Sequence, residues 1–212
     1  MAKIYPDLAG VFRGSVGKVT YYLRESENIA RRKGEGGHSS QSPEAVEQRQ
    51  KFGLVSALAS IMLAAIKLGF PRRKKGLSET NAFHSLNKNV CTVADGVVTV
   101  DYERLKCAKG RLVIPEVTVS YDAENSKILF SQEEMEEEVN CSADDMVYGV
   151  LLESKQGFCR LVKLRVRGES GSTSMNLPVT WNKDYVVVYV FAVSADKTNA
   201  SQSRYLSLEA GA

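Results

Sequence analysis

The side chains able to do chemistry are few in this 212-residue chain. There are two histidines, His38 and His84, and four cysteines, Cys91, Cys107, Cys141 and Cys159. Compact zinc sites draw cysteines from C-x-x-C spacings, whereas these lie 16, 34 and 18 residues apart, so neither metal nor cofactor is expected. With no apolar leader segment in the first residues, the cysteines read as reduced, mainly buried thiols. Ser85 and Lys88 formally fit the S-x-x-K signature of acyl transfer, but its companion motifs are missing. His84 has no acid or nucleophile at a recognisable spacing, and His38 falls in a glycine-rich linker. A hydrolase using His84 or a cysteine would need partners that converge only in the fold. The expectation is a protein that is not an enzyme, with no small-molecule substrate identified.

Residues 10–19, GVFRGSVGKV, look like a phosphate-cradling loop and fail the test. A Walker loop needs Ser or Thr after its Gly-Lys pair, where Val19 stands. A kinase-type loop begun at Gly10 needs glycine at Phe12 and Ser15. These glycines more simply serve close backbone approach or positive φ.

What the chain offers in place of a reactive centre is charge. The formal net charge is +3, but residues 1–110 carry +8 and residues 111–212 carry −5. Arg13, Lys18, Arg24, Arg31, Arg32 and Lys33 interleave with Phe12, Tyr21 and Tyr22, and Arg72, Arg73, Lys74 and Lys75 form a second cluster. Cations neutralise phosphates and release counterions while aromatics stack on bases, so nucleic-acid contact is one reading. A second is that the arm meets an acidic protein or threads into a neighbouring subunit. The Arg72–Lys75 cluster also complements the dipole of a helix ending just before it, which needs no partner. The acidic run at 133–138 reads as a solvated loop, or as the counterpart of the basic arm on another copy. Its spacing is not that of an EF-hand.

These charges need elements to position them. Residues 18–23 and 29–33 predict a hairpin, followed by a flexible linker over 34–42. Ser42 then caps a helix, with Pro43 in its first turn and Glu44 and Glu47 facing the positive end of its dipole. Phe52, Val55, Leu58, Met62 and Ile66 recur at helical spacing until Gly69 and Pro71 stop it. That predicts one helix of roughly 25 residues, near 40 Å long. Its apolar face is a candidate oligomer or packing surface. About thirteen uncharged residues are too few for a span of roughly 20, so no membrane crossing is expected. A shorter helix follows from Ser78 to about Asn89. Beyond it, strands are predicted at 97–102, 117–121, 127–130, 146–152, 158–166, 172–177, 185–193 and 204–208, with turn signals between them. Such spacing without helices argues for an antiparallel sandwich.

Three stretches carry a resemblance: residues 10–33 with 42–52, residues 100–112 (VDYERLKCAKGRL), and residues 177–206. Together they resemble an uncharacterised family common in Bacteroidota. The resemblance implies a basic N-terminal region and helix followed by an immunoglobulin-like sandwich, and it carries no catalytic residues.

The architecture expected is therefore α+β: an N-terminal hairpin arm and long helix, then an antiparallel immunoglobulin-like β-sandwich. The arm and helices occupy residues 1–96 and the sandwich residues 97–212. The function expected is structural, a sandwich body docked through its basic arm and helix onto other copies or a large, phage-like particle. The alternative is a nucleic-acid-binding module using the arm and the Arg72–Lys75 cluster. With no secretory signal read, the location expected is cytoplasmic or particle-associated.

Overall fold

The computed structural model describes residues 2–4, 10–24, 27–34, 41–74, 76–94 and 96–210. The chain divides into two compact units, Met1–Val46 and Glu47–Ala212.

In the first unit the expected hairpin is present. Strands β3 (Val19–Arg24) and β4 (Glu27–Arg32) pair antiparallel. Its turn residues Glu25 and Ser26, and linker residues 35–40 with His38, lie outside the described residues. Two strands not read from the sequence flank it, β1 (Ala2–Ile4) and β2 (Gly14–Val16), giving the order β1-β4-β3-β2. Gly17 adopts φ 55° in the two-residue turn between β2 and β3, and Gly10 and Gly14 have φ 70° and 114°, so all three glycines of this loop serve positive φ. Side chains alternate across a strand, and directly paired residues share a face. Val16, Val19, Tyr21, Leu23, Asn28, Ala30 and Arg32 therefore line one face, and Thr20, Tyr22, Arg24, Ile29 and Arg31 line the other.

Helix α1 (Pro43–Ile61) starts at the expected cap, with the Ala45 N–H donating to Ser42 Oγ at 3.3 Å. The single long helix does not form. It bends by 84° at Met62, and α2 (Leu63–Gly69) follows. No proline or glycine marks the bend. Met62 is fully buried, and the bend lets Val55 and Leu58 of α1 and Ala65 and Ile66 of α2 enter one core. Among the described residues no single helix is long and apolar enough to cross a membrane. Helix α3 (Glu79–Leu86) has Ser78 as its N-cap, accepting from the Asn81 N–H at 3.2 Å.

The strand expected to open the sandwich instead forms a separate hairpin, β5 (Cys91–Ala94) with β6 (Val97–Val100). The main sheets follow: β7 (Val117–Asp122), β8 (Lys127–Gln132), β9 (Met146–Glu153), β10 (Phe158–Val166), β11 (Gly171–Asn176), β12 (Val186–Val193), β13 (Arg204–Leu206) and β14 (Glu209–Ala210). Their orders are β10-β9-β12-β13 and β11-β8-β7-β14, antiparallel except where β14 pairs parallel with β7. The protein is thus α+β and mostly β.

The central sheet, β10-β9-β12-β13, is covered on both faces. Val147 and Leu151 of β9 and Val188, Val190 and Ala192 of β12 pack with Val119 and Phe130 of the second sheet. The intervening Val150, Leu152, Tyr189, Phe191 and Val193 pack on α1, α2 and α3. Continuous apolar strands are what double burial demands. Gly149 lets the sheets approach, since a Cβ there would lie 2.9 Å from the Phe130 ring. The second sheet is one-sided, with Thr118, Ser131, Ser172 and Ser174 exposed.

Candidate charged binding surfaces

The fold splits the predicted basic residues into surfaces of different character. At one end of the N-terminal sheet, the Lys33 N–H donates to Lys18 O at 2.7 Å, gathering Lys18 and Lys33 beside Arg31 and Arg32. Arg13 precedes β2, and Arg24 lies at the far end of β3. The Arg31 guanidinium sits 5.7 Å from the Tyr22 ring centre, and Phe12 lies 5.8 Å from Tyr21. The mostly apolar face of this sheet is exposed at its β2 edge, with Val16 at 73% and Phe12 at 38% exposure, while Val19, Tyr21, Leu23 and Ala30 are half-buried and Asn28 donates to Gly10 O at 2.9 Å. Among the described residues of this unit, Ile29 is the one buried hydrophobic side chain.

In the second unit, Arg72, Arg73 and Lys74 line a cleft of about 620 Å³, and Lys75 lies outside the described residues. Lys109 and Arg111, which the sequence reading did not single out, complete the cleft. Their segment is clamped in place. Asn87 donates through Nδ2 to Lys106 O (2.8 Å) and accepts at Oδ1 from the Lys106 N–H (2.9 Å). Ser203 Oγ accepts from the Cys107 N–H at 2.9 Å, and the Lys109 N–H donates to Gly69 O at 2.8 Å. Glycine is required twice here: a Cβ on Gly69 would overlap the Cys107 carbonyl, and one on Gly110 the Ala200 carbonyl.

The cations of the cleft are not equivalent. Arg73 is a strut: Nε donates to Leu77 O (2.8 Å), Nη1 donates to Phe70 O (3.4 Å), and Nη2 pairs with Glu79 (2.7 Å). It caps the chain leaving α2, as the dipole reading anticipates. Arg72 commits only Nε, to Thr198 O at 3.3 Å. Lys74, Lys109 and Arg111 are exposed and make no ion pair among the described residues.

The acidic run is a loop with its glutamates exposed, and its backbone is held in place. Arg167, fully buried, pairs with Asp145 at 3.4 Å and donates to Val113 O (2.8 Å) and Met135 Sδ (3.3 Å). The Met135 N–H donates back to Arg167 O at 3.1 Å, and Glu138 and Cys141 exchange two backbone hydrogen bonds. Met135 points inward while Glu133, Glu134, Glu136, Glu137 and Glu138 stay exposed.

The helix residues are placed differently from an open oligomer face. Val55, Leu58, Met62 and Ile66 are buried in the chain's own core, and only Phe52 is exposed, stacked 4.7 Å from His84. Helical spacing shows that a face is apolar but not what covers it.

The reactive-residue candidates acquire partners too. His84 Nε2 lies 3.3 Å from Ser56 Oγ, a neighbour not read from the sequence. Ser56 donates to Phe52 O at 2.8 Å, which leaves its oxygen to accept from the imidazole N–H and ties α1 to α3. A histidine acting as base would have to accept instead. Burial pushes the Cys107 and Cys159 thiols up to about 12 and raises that of Cys91, so little thiolate forms near neutrality. All four cysteines are free. Among the described residues, no three of His, Cys, Asp and Glu converge on a point that could hold a metal.

The fold and these surfaces define a mostly-β α+β protein with exposed charged surfaces. The chain belongs to a family described as a family of unknown function (DUF6266), whose model matches residues 9–207, in keeping with the resemblance to an uncharacterised family. No curated protein and no solved structure matches the chain.

Proposed function

We propose that this protein is a non-enzymatic assembly module: an immunoglobulin-like sandwich body that docks through its N-terminal sheet onto the acidic loop of another copy. The sandwich reading rests on strand order. Strands β7-β8-β11 form one sheet and β10-β9-β12-β13 the other, so the chain crosses between the sheets after β8, β10 and β11, a pattern like that of seven-stranded immunoglobulin-like domains. The observation that carries the docking is the exposed apolar edge of the N-terminal sheet, with Val16 at 73% and Phe12 at 38% exposure. A sheet with one apolar face must bury it against another layer. Charge complementarity selects a second copy: Lys18, Arg31, Arg32 and Lys33 sit at one end of that sheet, and the anchored glutamates are exposed on the other unit. Such a contact joins two different patches, so it propagates into a ring or a filament. The helix face takes no part in it.

The test is the mass of nuclease-treated full-length protein by light scattering at low and high salt. The expected result is an assembly that persists in high salt, because the apolar face holds it and the charges set its register. Glu136→Lys/Glu137→Lys and Lys18→Glu/Lys33→Glu should each shift the mass towards monomer, and mixing the two variants should restore assembly. A monomer at every concentration would overturn the reading.

A second reading is favoured by Arg31 over Tyr22 on a cationic sheet face. That is the chemistry of a single-stranded nucleic-acid platform. It predicts a raised 260/280 absorbance ratio before nuclease treatment and release of nucleic acid by salt.

A further inference from the structure

We propose that the cleft at the end of α2 binds the polyphosphate group of a small phosphorylated ligand. This site goes beyond the docking reading and uses none of its residues. At about 620 Å³ the cleft is the size of a small-molecule site. Among the described residues, Arg72, Lys74, Lys109 and Arg111 line it with donors left over, and no carboxylate lines it. Arg73, the fifth cation, is balanced by Glu79. This uncompensated charge matches a di- or triphosphate, whereas one carboxylate would leave most of it unpaired. The two arginines supply the planar forks suited to phosphate oxygens, and the two lysines act as point charges.

The site is also pre-organised. Lys109 and Arg111 stand on a segment fixed by the Gly69 and Gly110 contacts, so ligand binding orders little backbone. Leu77, Ala82 and Leu86 give the cleft an apolar side for an uncharged ligand body. Phe70, its one aromatic, is 2% exposed and offers no stacking platform. A nucleic-acid strand, which relies on stacking and a continuous groove, fits this concavity poorly.

The test is calorimetric titration of full-length protein at low ionic strength with inorganic tripolyphosphate, alongside orthophosphate and a single-stranded oligonucleotide. Saturable one-to-one binding of tripolyphosphate, tighter than that of orthophosphate, is expected. Lys109→Gln/Arg111→Gln should weaken it by at least about tenfold, with an unchanged unfolding midpoint because both side chains are exposed. Arg72→Lys, which keeps the charge and loses the fork, should weaken it less. Lys18→Gln/Lys33→Gln, in the N-terminal sheet, should leave it unaltered. Absence of saturable heat, indifference to Lys109→Gln/Arg111→Gln, or an oligonucleotide that displaces tripolyphosphate would each overturn the proposal.

Discussion

Two of the three four-stranded sheets among the described residues, the central and the N-terminal one, make opposite use of their residues. In the central sheet, β12 sends Val188, Val190 and Ala192 to one side and Tyr189, Phe191 and Val193 to the other, all at 1% exposure or less. In the N-terminal sheet, among the described residues, Ile29 alone is a buried hydrophobic. Hydrophobic burial is the dominant favourable term in folding, so stability concentrates in the central sheet. The N-terminal sheet orders its strands with little core beneath them, which suits a surface completed by something else. The same β-rich chemistry thus builds a body in one unit and an exposed face in the other.

The sharpest way to break this contrast is to make equivalent truncations in both sheets. Phe191→Ala should cost about 3–5 kcal/mol in denaturant unfolding, because it opens a cavity among fully buried neighbours. Leu23→Ala, at a half-buried position of β3, should move the main transition by less than about 0.5 kcal/mol. Comparable losses would mean that the N-terminal sheet shares the core's stability.

A smaller loss should follow where the acidic loop is fastened to the strand leaving β10. Asp145→Ala leaves the Arg167 guanidinium buried without its carboxylate partner, at a cost of about 3 kcal/mol. The same variant should raise protease cleavage within 133–138, measured on the folded protein, because the staple holding Met135 inward is lost. Intact protection would show that Met135 and the Glu138–Cys141 backbone bonds hold the loop unaided. Below that in size stands Gly110→Ala. Its methyl group would push against the Ala200 carbonyl and cost about 1–3 kcal/mol in thermal unfolding. Gly110→Ala touches neither the N-terminal sheet nor the acidic loop, so it should leave association unaltered, whereas Asp145→Ala loosens the loop that docking uses and should weaken association.

Most of the elements were legible in the sequence because each carries its own local signal. Ser42 and Ser78 announce their helices by capping chemistry, and the strands from 117 onward are bounded by turn residues. The continuous run Val186–Val193 is apolar at every position, which is the mark of burial on both sides of a sheet. The bend at Met62 left no trace, since it comes from wrapping over a sheet that lies far away in sequence. The same limit applies to the cleft. Arg72, Arg73 and Lys74 form an obvious run, but Lys109 and Arg111 reach them only because residues 105–112 are clamped to Asn87, Gly69 and Ser203. The density of Lys106, Lys109 and Arg111 around Gly110 was the one available hint. Ser56 beside His84 had none.

The body should also show its dryness through pH. Cys107 is fully buried, and its thiol is pushed up from 9.0 to about 12 by burial. The raised folded value means that the unfolded chain loses this proton first. Stability contributed by the neutral thiol is therefore complete below pH 9.0 and declines between there and about 12. The slope approaches about 1.4 kcal/mol per pH unit for one such group. Unfolding midpoints from pH 8 to 10.5 should fall, and Cys107→Ala should flatten the fall. An unchanged slope in that variant would assign the alkaline limb to other groups, Cys159 and the tyrosines first.

The smallest expected effect on stability separates the two sheets most cleanly. Val16→Asp places a carboxylate on the apolar edge at a position 73% exposed, where solvation costs nothing and no core contact is lost. Thermal unfolding should shift by no more than about 0.5 kcal/mol. The same carboxylate would be desolvated in any contact that covers this face, next to the glutamates of an incoming copy, so association should fall steeply. Unchanged stability with a lost assembly would assign the sheet to docking. A large drop in stability would instead place Val16 in a layer that supports the fold, and the contrast between the sheets would then be one of degree.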